Sequence, residues 1–209
     1  YSTENQSINA GISAINAKVN IPDLRDPVLN IESFSAGSLE SIREFSMQSP
    51  IKNVFGEQLD RVTVDGEASF ALDLMMPLKR ERIQEFEFQV RVRSNDGTLA
   101  VAGFNSPITD LIGEVTIERD RIESKGLTGT FLSEGVSISI QRSKDPQFSV
   151  IATALGTATA DGIVNELGVP MDGLIKGAAV YQARILFPSG KMETKSPLTV
   201  QIESDLNGL

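Results

Sequence analysis

From Val62 to Met76 the chain changes character at every step. Val62, Val64, Gly66, Ala68, Phe70, Leu72, Leu74 and Met76 fall on one side of an extended backbone. Thr63, Asp65, Glu67, Ser69, Ala71, Asp73 and Met75 fall on the other. Side chains of a strand repeat every two residues, so this is a long strand with one apolar and one mostly polar face, closed by Pro77. The segment "EFEFQVRVR" repeats the device, with Phe86, Phe88, Val90 and Val92 opposed to Glu85, Glu87, Gln89, Arg91 and Arg93. "SNDG" has turn composition, and "TLAVAG" follows it. The pattern predicts further strands over 111–117, 122–131, 136–141, 148–155, 174–187 and 198–206. Upstream, residues 8–21 alternate loosely and slip phase near Ala14, which predicts a bulge. Residues 28–36 read as a short strand.

Two stretches change to helical spacing. Over 38–49, Ser38 is a candidate N-cap, and Leu39, Ile42 and Phe45 form an apolar stripe, with Pro50 either stopping it or beginning another turn. Over 158–168, Ile163, Val164 and Leu167 are apolar. Fold class is therefore mainly β and antiparallel, with two short helices. These helices are too short to cover so many strands. Either a second sheet completes a β-sandwich, or one long curved antiparallel sheet wraps its own apolar face and leaves a trough.

The strands also repeat. In "VDGEASFALDLMMP" and "IKGAAVYQARILFP", Gly66 matches Gly177, Phe70 matches Tyr181, Leu74 matches Ile185, and Pro77 matches Pro188, each pair 111 residues apart. After a one-residue gap, "VRVRSNDGTL" matches "VQIESDLNGL", and a helical stretch precedes the strand both times. We divide the chain into lead-in strands and helix over 1–60, a complete unit over 61–157, and the opening of a second unit over 158–209. Such an array shields the strand edges of each unit with its neighbour. The last strand, near 198–209, is expected to offer an unpaired edge to a neighbouring repeat or chain.

Composition narrows the function. A net charge of −9 argues against nucleic acid and against anionic membrane surfaces. The sequence has no run of apolar residues long enough for a membrane span. With neither Cys nor His among its 209 residues, it carries no thiol chemistry, no Cys-based metal site and no Ser-His-Asp arrangement. Zero Cys suits a bacterial envelope protein. Neither a metal nor a cofactor is expected. A carboxylate hydrolase built on Glu85 and Glu87, about 7 Å apart along one strand face, is a weak alternative, because both sit on the wet face among Arg91 and Arg93. The start at Tyr1 and the end in "PLTVQIESDLNGL" read as a segment of a longer protein.

The succession "DGEASFALDLMMPL", "NDGTLAV", "ITDLIGEVTIERDRIESKGLTGTFLSEGVSISIQ" and "FSVIATALGTAT" resembles the YhdP branch of the AsmA-like proteins of bacterial envelopes. The closing "GAAVYQARILFPSGKMETKSPLTVQIESDLNGL" is similar to that family's next module. The resemblance covers residues 62–209. It implies a periplasmic segment whose parent is anchored in the inner membrane of a Gram-negative bacterium by a helix outside this chain. It also implies an apolar β-groove that carries phospholipid acyl chains between the two membranes, with no enzymatic reaction. On that reading the groove liners are Val64, Ala68, Phe70, Leu72, Leu74, Phe86, Phe88, Val90, Val92, Val136, Ile138, Ile140, Phe148, Val150, Tyr181, Ile185 and Phe187. A structural or adhesive β-sandwich module is the rival.

Overall fold

The computed structural model describes residues 7–8, 12–49, 52–168, 176–189 and 197–204. In chain order these form β1 (Ser7–Ile8), β2 (Ile12–Asn20), β3 (Val28–Ser38), α1 (Leu39–Gln48), α2 (Lys52–Leu59) and β4 (Val62–Pro77). A 3-10 helix (Arg80–Glu85) leads into β5 (Glu87–Val101), β6 (Ile108–Glu118), β7 (Ile122–Phe131), β8 (Glu134–Arg142) and β9 (Phe148–Thr159). α3 (Ala160–Leu167), β10 (Ala178–Pro188) and β11 (Thr199–Ser204) complete the described chain. Of the expected strands and units, residues 1–6, 9–11, 50–51, 169–175, 190–196 and 205–209 lie outside the described residues.

All eleven strands belong to one sheet, in the order β1 to β11, each antiparallel to its sequence neighbour. There is no second sheet among the described residues, so the sandwich alternative is set aside. The alternation fixes the register. Leu74 lies between Ile31 and Phe88, and Leu72 between Ser33 and Val90, so apolar positions align across strands. The expected bulge is present: pairing with β3 skips from Ala14 to Asn16, leaving Ile15 as the extra residue.

The sheet is strongly curled. Three strands separate β5 from β9, about 19 Å along a flat sheet. Yet Phe70, Phe88 and Val90 share one buried cluster with Val150 of β9 and Phe187 of β10. Leu39 and Ile42 of α1 and Phe55 of α2 enter the same cluster. Phe45 meets Phe70 edge to face, with centroids 5.8 Å apart. The apolar face is thus covered partly by its own curl and partly by helices laid inside it.

The helices begin as the sequence indicates. Ser38 Oγ accepts from the Ser41 amide at 3.1 Å, and Thr159 Oγ1 accepts from the Gly162 amide at 3.1 Å. α3 ends at Gly168 in the left-handed region, φ 62. Two elements correct the two-helix expectation. Of the two readings open beyond Gln48, a further helix is realised: α2 runs from Lys52, and burying Phe55 repays ordering it. "RERIQE" forms a 3-10 helix, so Glu85, expected to open the strand, ends that helix instead. Its Arg82 is held by Asp26 and Glu85, and Lys79, just before it, also reaches Asp26.

Candidate apolar groove

Inside the curl lies a cavity of about 250 Å³ walled by β4 to β10 and by α1 and α2. A second cavity of about 50 Å³ adjoins it, sharing Leu99, Val101, Ile108, Ala154 and Ile185 as walls. Of the liners read from the sequence, Val64, Val92, Ile138, Ile140, Val150, Ile185 and Phe187 border the larger space. Val136 and Tyr181 border the smaller, together with Ile185. Ala68, Phe70, Leu72, Leu74, Phe86, Phe88 and Val90 pack in the large cluster without lining either cavity; Leu74 and Phe88 border a separate hollow with Asn30, Gln84 and Arg119. Phe86 and Phe88 stack, centroids 5.8 Å apart, and the Arg119 guanidinium lies 5.1 Å from the Phe86 centroid. Phe148 stands apart, half-buried at the start of β9 where the register with Pro188 shifts.

The sequence reading missed the walls given by β6 and β7: Leu111, Val115, Ile117, Ile122 and Leu127. Their signal was present, because "LIGEVTI" alternates like its neighbours. Gly113 stands in that series at φ 137, and a Cβ there would lie 2.6 Å from the Gly126 carbonyl. The helix residues Leu39, Ile42 and Phe55 carried no such signal. An amphipathic stripe shows that a helix packs, not on which face of the sheet.

Three buried side-chain polar atoms have no hydrogen-bond partner among the described residues: Gln58 Oε1, Ser94 Oγ and Tyr181 OH. All three residues line the two cavities. Burial pushes the Tyr181 phenol above its ordinary pKa. Two polar ties hold helices across the curl. Gln58 Nε2 donates to Ser149 Oγ at 2.7 Å and to the Pro188 carbonyl at 3.3 Å, joining α2 to β9 and β10. The Glu166 carboxylate accepts from the Asn105 and Ser106 amides at 2.8 and 2.9 Å, joining α3 to the β5–β6 turn. Asn105 Nδ2 adds a bond to the Glu166 carbonyl at 2.7 Å.

A greasy interior enclosed by a single meandering sheet is the geometry that the sequence resemblance implies, and comparison with known proteins supports the resemblance itself. The family model described as YhdP protein matches residues 5–209. The chain belongs to the YhdP family. It is 19% identical over 175 residues to the intermembrane phospholipid transporter YhdP of Escherichia coli (strain K12). That alignment covers 84% of this chain and 14% of the relative, so the chain spans a small part of the protein it matches. No solved structure matches it.

The apolar face of this YhdP-family chain continues past the enclosed region. On β11, Val200 and Ile202 pair with Ile185 and Ala183 and are 40% and 62% exposed. On β2, Val19 pairs with Ile31 and is 51% exposed. Among the described strands β11 pairs with β10 alone. Glu85 and Glu87 do not share a strand face: Glu85 closes the 3-10 helix and pairs with Arg82 at 2.9 Å, while Glu87 begins β5 on the outer surface. The geometric premise of a carboxylate pair is thereby removed. Among the described residues, no helix is long and apolar enough to cross a membrane.

Proposed function

We propose that the chain is a segment of a periplasmic, inner-membrane-anchored lipid carrier, and that its apolar interior takes phospholipid acyl chains moving between the inner and outer membranes. One observation carries the reading: an almost wholly apolar cavity walled by seven consecutive strands, whose face runs on, exposed, onto β2 and β11. Each methylene moved there from water gains roughly 0.8 kcal/mol. A face of similar side chains repeats that gain from strand to strand, so a tail meets no deep well, and the work needs neither a reaction nor a cofactor. The relative's name, an intermembrane phospholipid transporter, supports phospholipid as cargo.

The division into one unit over 61–157 and the start of another over 158–209 belongs to the same proposal. Gly66 and Gly177 hold φ of 108 and 111, and Pro77 and Pro188 each end a strand. Before each of the two long strands, β4 and β10, a strand ends in an N-capped helix. Neighbouring units would then pair edge to edge and extend the groove.

The test is site-specific photo-crosslinking in cells that carry the full-length parent. A photoreactive residue at Ile185, on the cavity wall, is expected to capture acyl lipid; one at Arg184, on the opposite face of β10, is not. Absence of lipid at Ile185, or equal capture at both sites, would refute conduction through this interior.

A further inference from the structure

We propose that the Tyr181 hydroxyl donates a hydrogen bond to the ester carbonyl of an acyl lipid whose tail occupies the adjoining 250 Å³ cavity. The inference rests on the lipid reading of this interior and adds to it a point of polar recognition.

Packing accounts for the ring of Tyr181 and leaves the hydroxyl over. Tyr181 faces Gly156 across β9 and β10, and a Cβ at Gly156 would lie 3.0 Å from the hydroxyl and 3.2 Å from the ring. The ring therefore fills the space that a missing side chain leaves. A phenylalanine would fill it equally well. The hydroxyl instead is buried with no partner among the described residues, a destabilising arrangement unless something else accepts its proton.

Its surroundings say what that partner is. Tyr181 lines the smaller cavity, whose 50 Å³ exceeds the roughly 30 Å³ share of a water molecule. That space holds a small polar group, and it adjoins, across shared walls, a chamber suited to hydrocarbon. No charged side chain lines the smaller cavity. A carboxylate there would be desolvated and unpaired, so a free fatty acid is disfavoured. A neutral acceptor at the head of an apolar chain satisfies both spaces, and an acyl ester has that constitution.

The experiment uses this chain with three probes: methyl dodecanoate, tridecane and the dodecanoate anion. Calorimetric titration is expected to show the ester binding roughly three- to tenfold more tightly than the alkane, the yield of one net hydrogen bond. The anion is expected to bind more weakly than the ester. Y181F is expected to bind ester and alkane alike. A carbonyl-labelled ester gives a second readout that needs no variant: its infrared carbonyl band shifts to lower frequency on binding the wild-type protein. If ester and alkane bind the wild type equally, or Y181F keeps the preference, or the band does not move, the Tyr181 assignment is overturned while the lipid reading stands. If none of the three probes binds, both are overturned.

Discussion

Val90→Asp asks how dry the sheet is beneath α1 and α2. Val90 is 1% exposed and pairs with Leu72 and Ile117 on the flanking strands, within the cluster of Phe55, Phe70 and Phe88. Losing the valine costs about 1.5–3 kcal/mol of burial. An ionised carboxylate in its place adds more. Full burial raises a carboxyl pKa by up to about 3–5 units, and at 1.36 kcal/mol per unit this is roughly 4–7 kcal/mol. Together these are about 5–10 kcal/mol, comparable to the whole stability of a typical domain, about 5–15 kcal/mol. The variant is expected to be unfolded, or nearly so, at neutral pH. The sign with pH follows from the direction of the shift. With the folded pKa raised above the unfolded value near 3.9, the charge penalty is absent below that value and complete above the folded pKa. Melting followed by circular dichroism should therefore show a gap to wild type that is widest at pH 8 and narrows toward pH 4, where the valine loss remains. Ser139→Asp, on the exposed face of β8, is the control and should melt near wild type. A Val90→Asp protein that melts like wild type at pH 8, or a control that loses as much, would refute a dry interior at this strand.

Gly66→Ala should cost more than about 2 kcal/mol in urea unfolding, since φ is 108 and a Cβ would lie 2.4 Å from the Asp96 carbonyl. Gly126→Ala, at φ 60 in open space, should cost only about 1–2 kcal/mol, and equal losses at the two sites would contradict the close approach at Gly66. Glu166→Ala should speed hydrogen exchange at the Asn105 and Ser106 amides and leave Val90 protected; unchanged exchange at both amides would show that the α3 tie does not hold in solution. Asp26 has its pKa lowered by hydrogen bonds from Lys79 and Arg82, so its stabilising effect is present above the unfolded carboxylate pKa and lost as pH falls through the lower folded value. By calorimetry, Asp26→Asn should therefore melt below wild type at pH 6, with a gap that narrows as pH falls below the ordinary carboxylate range.

What could be read in the sequence follows from what is local. β4 declared itself because a period of two survives over a long stretch, and one misplaced residue would turn a whole face outward. The slip at Ile15 was visible for the same reason. β5 was legible only to Arg93: "SNDG" has turn composition, but the strand runs through it to Val101, absorbing it as register shifts between Ser94 and Leu99. α2 was only half visible: Pro50 could stop a helix or begin another turn, and what decides for a helix is Phe55 joining the cluster of Phe70 and Val150 far along the chain. The choice between two sheets and one curled sheet was likewise closed to local reasoning, because alternation reports which residues point inward and not what they meet. The polar atoms of Gln58, Ser94 and Tyr181 were hidden similarly, since a hydroxyl on an apolar face draws notice only once its partners are counted.

The consecutive strand order also sets a schedule for folding. Each strand pairs with the one made just before it, so the sheet can grow strand by strand, mostly with short loops to close and helices in the connections from β3 to β4 and from β9 to β10, the cheap part of the search. The ties across the curl come later. Gln58 waits 91 residues for Ser149, and Asn105 waits 61 for Glu166. Until β9 and α3 emerge, a half-made chain is a ribbon with its greasy side bare. That interval exposes the chain most to self-association, and variants that slow closure should lower yield before they lower melting temperature.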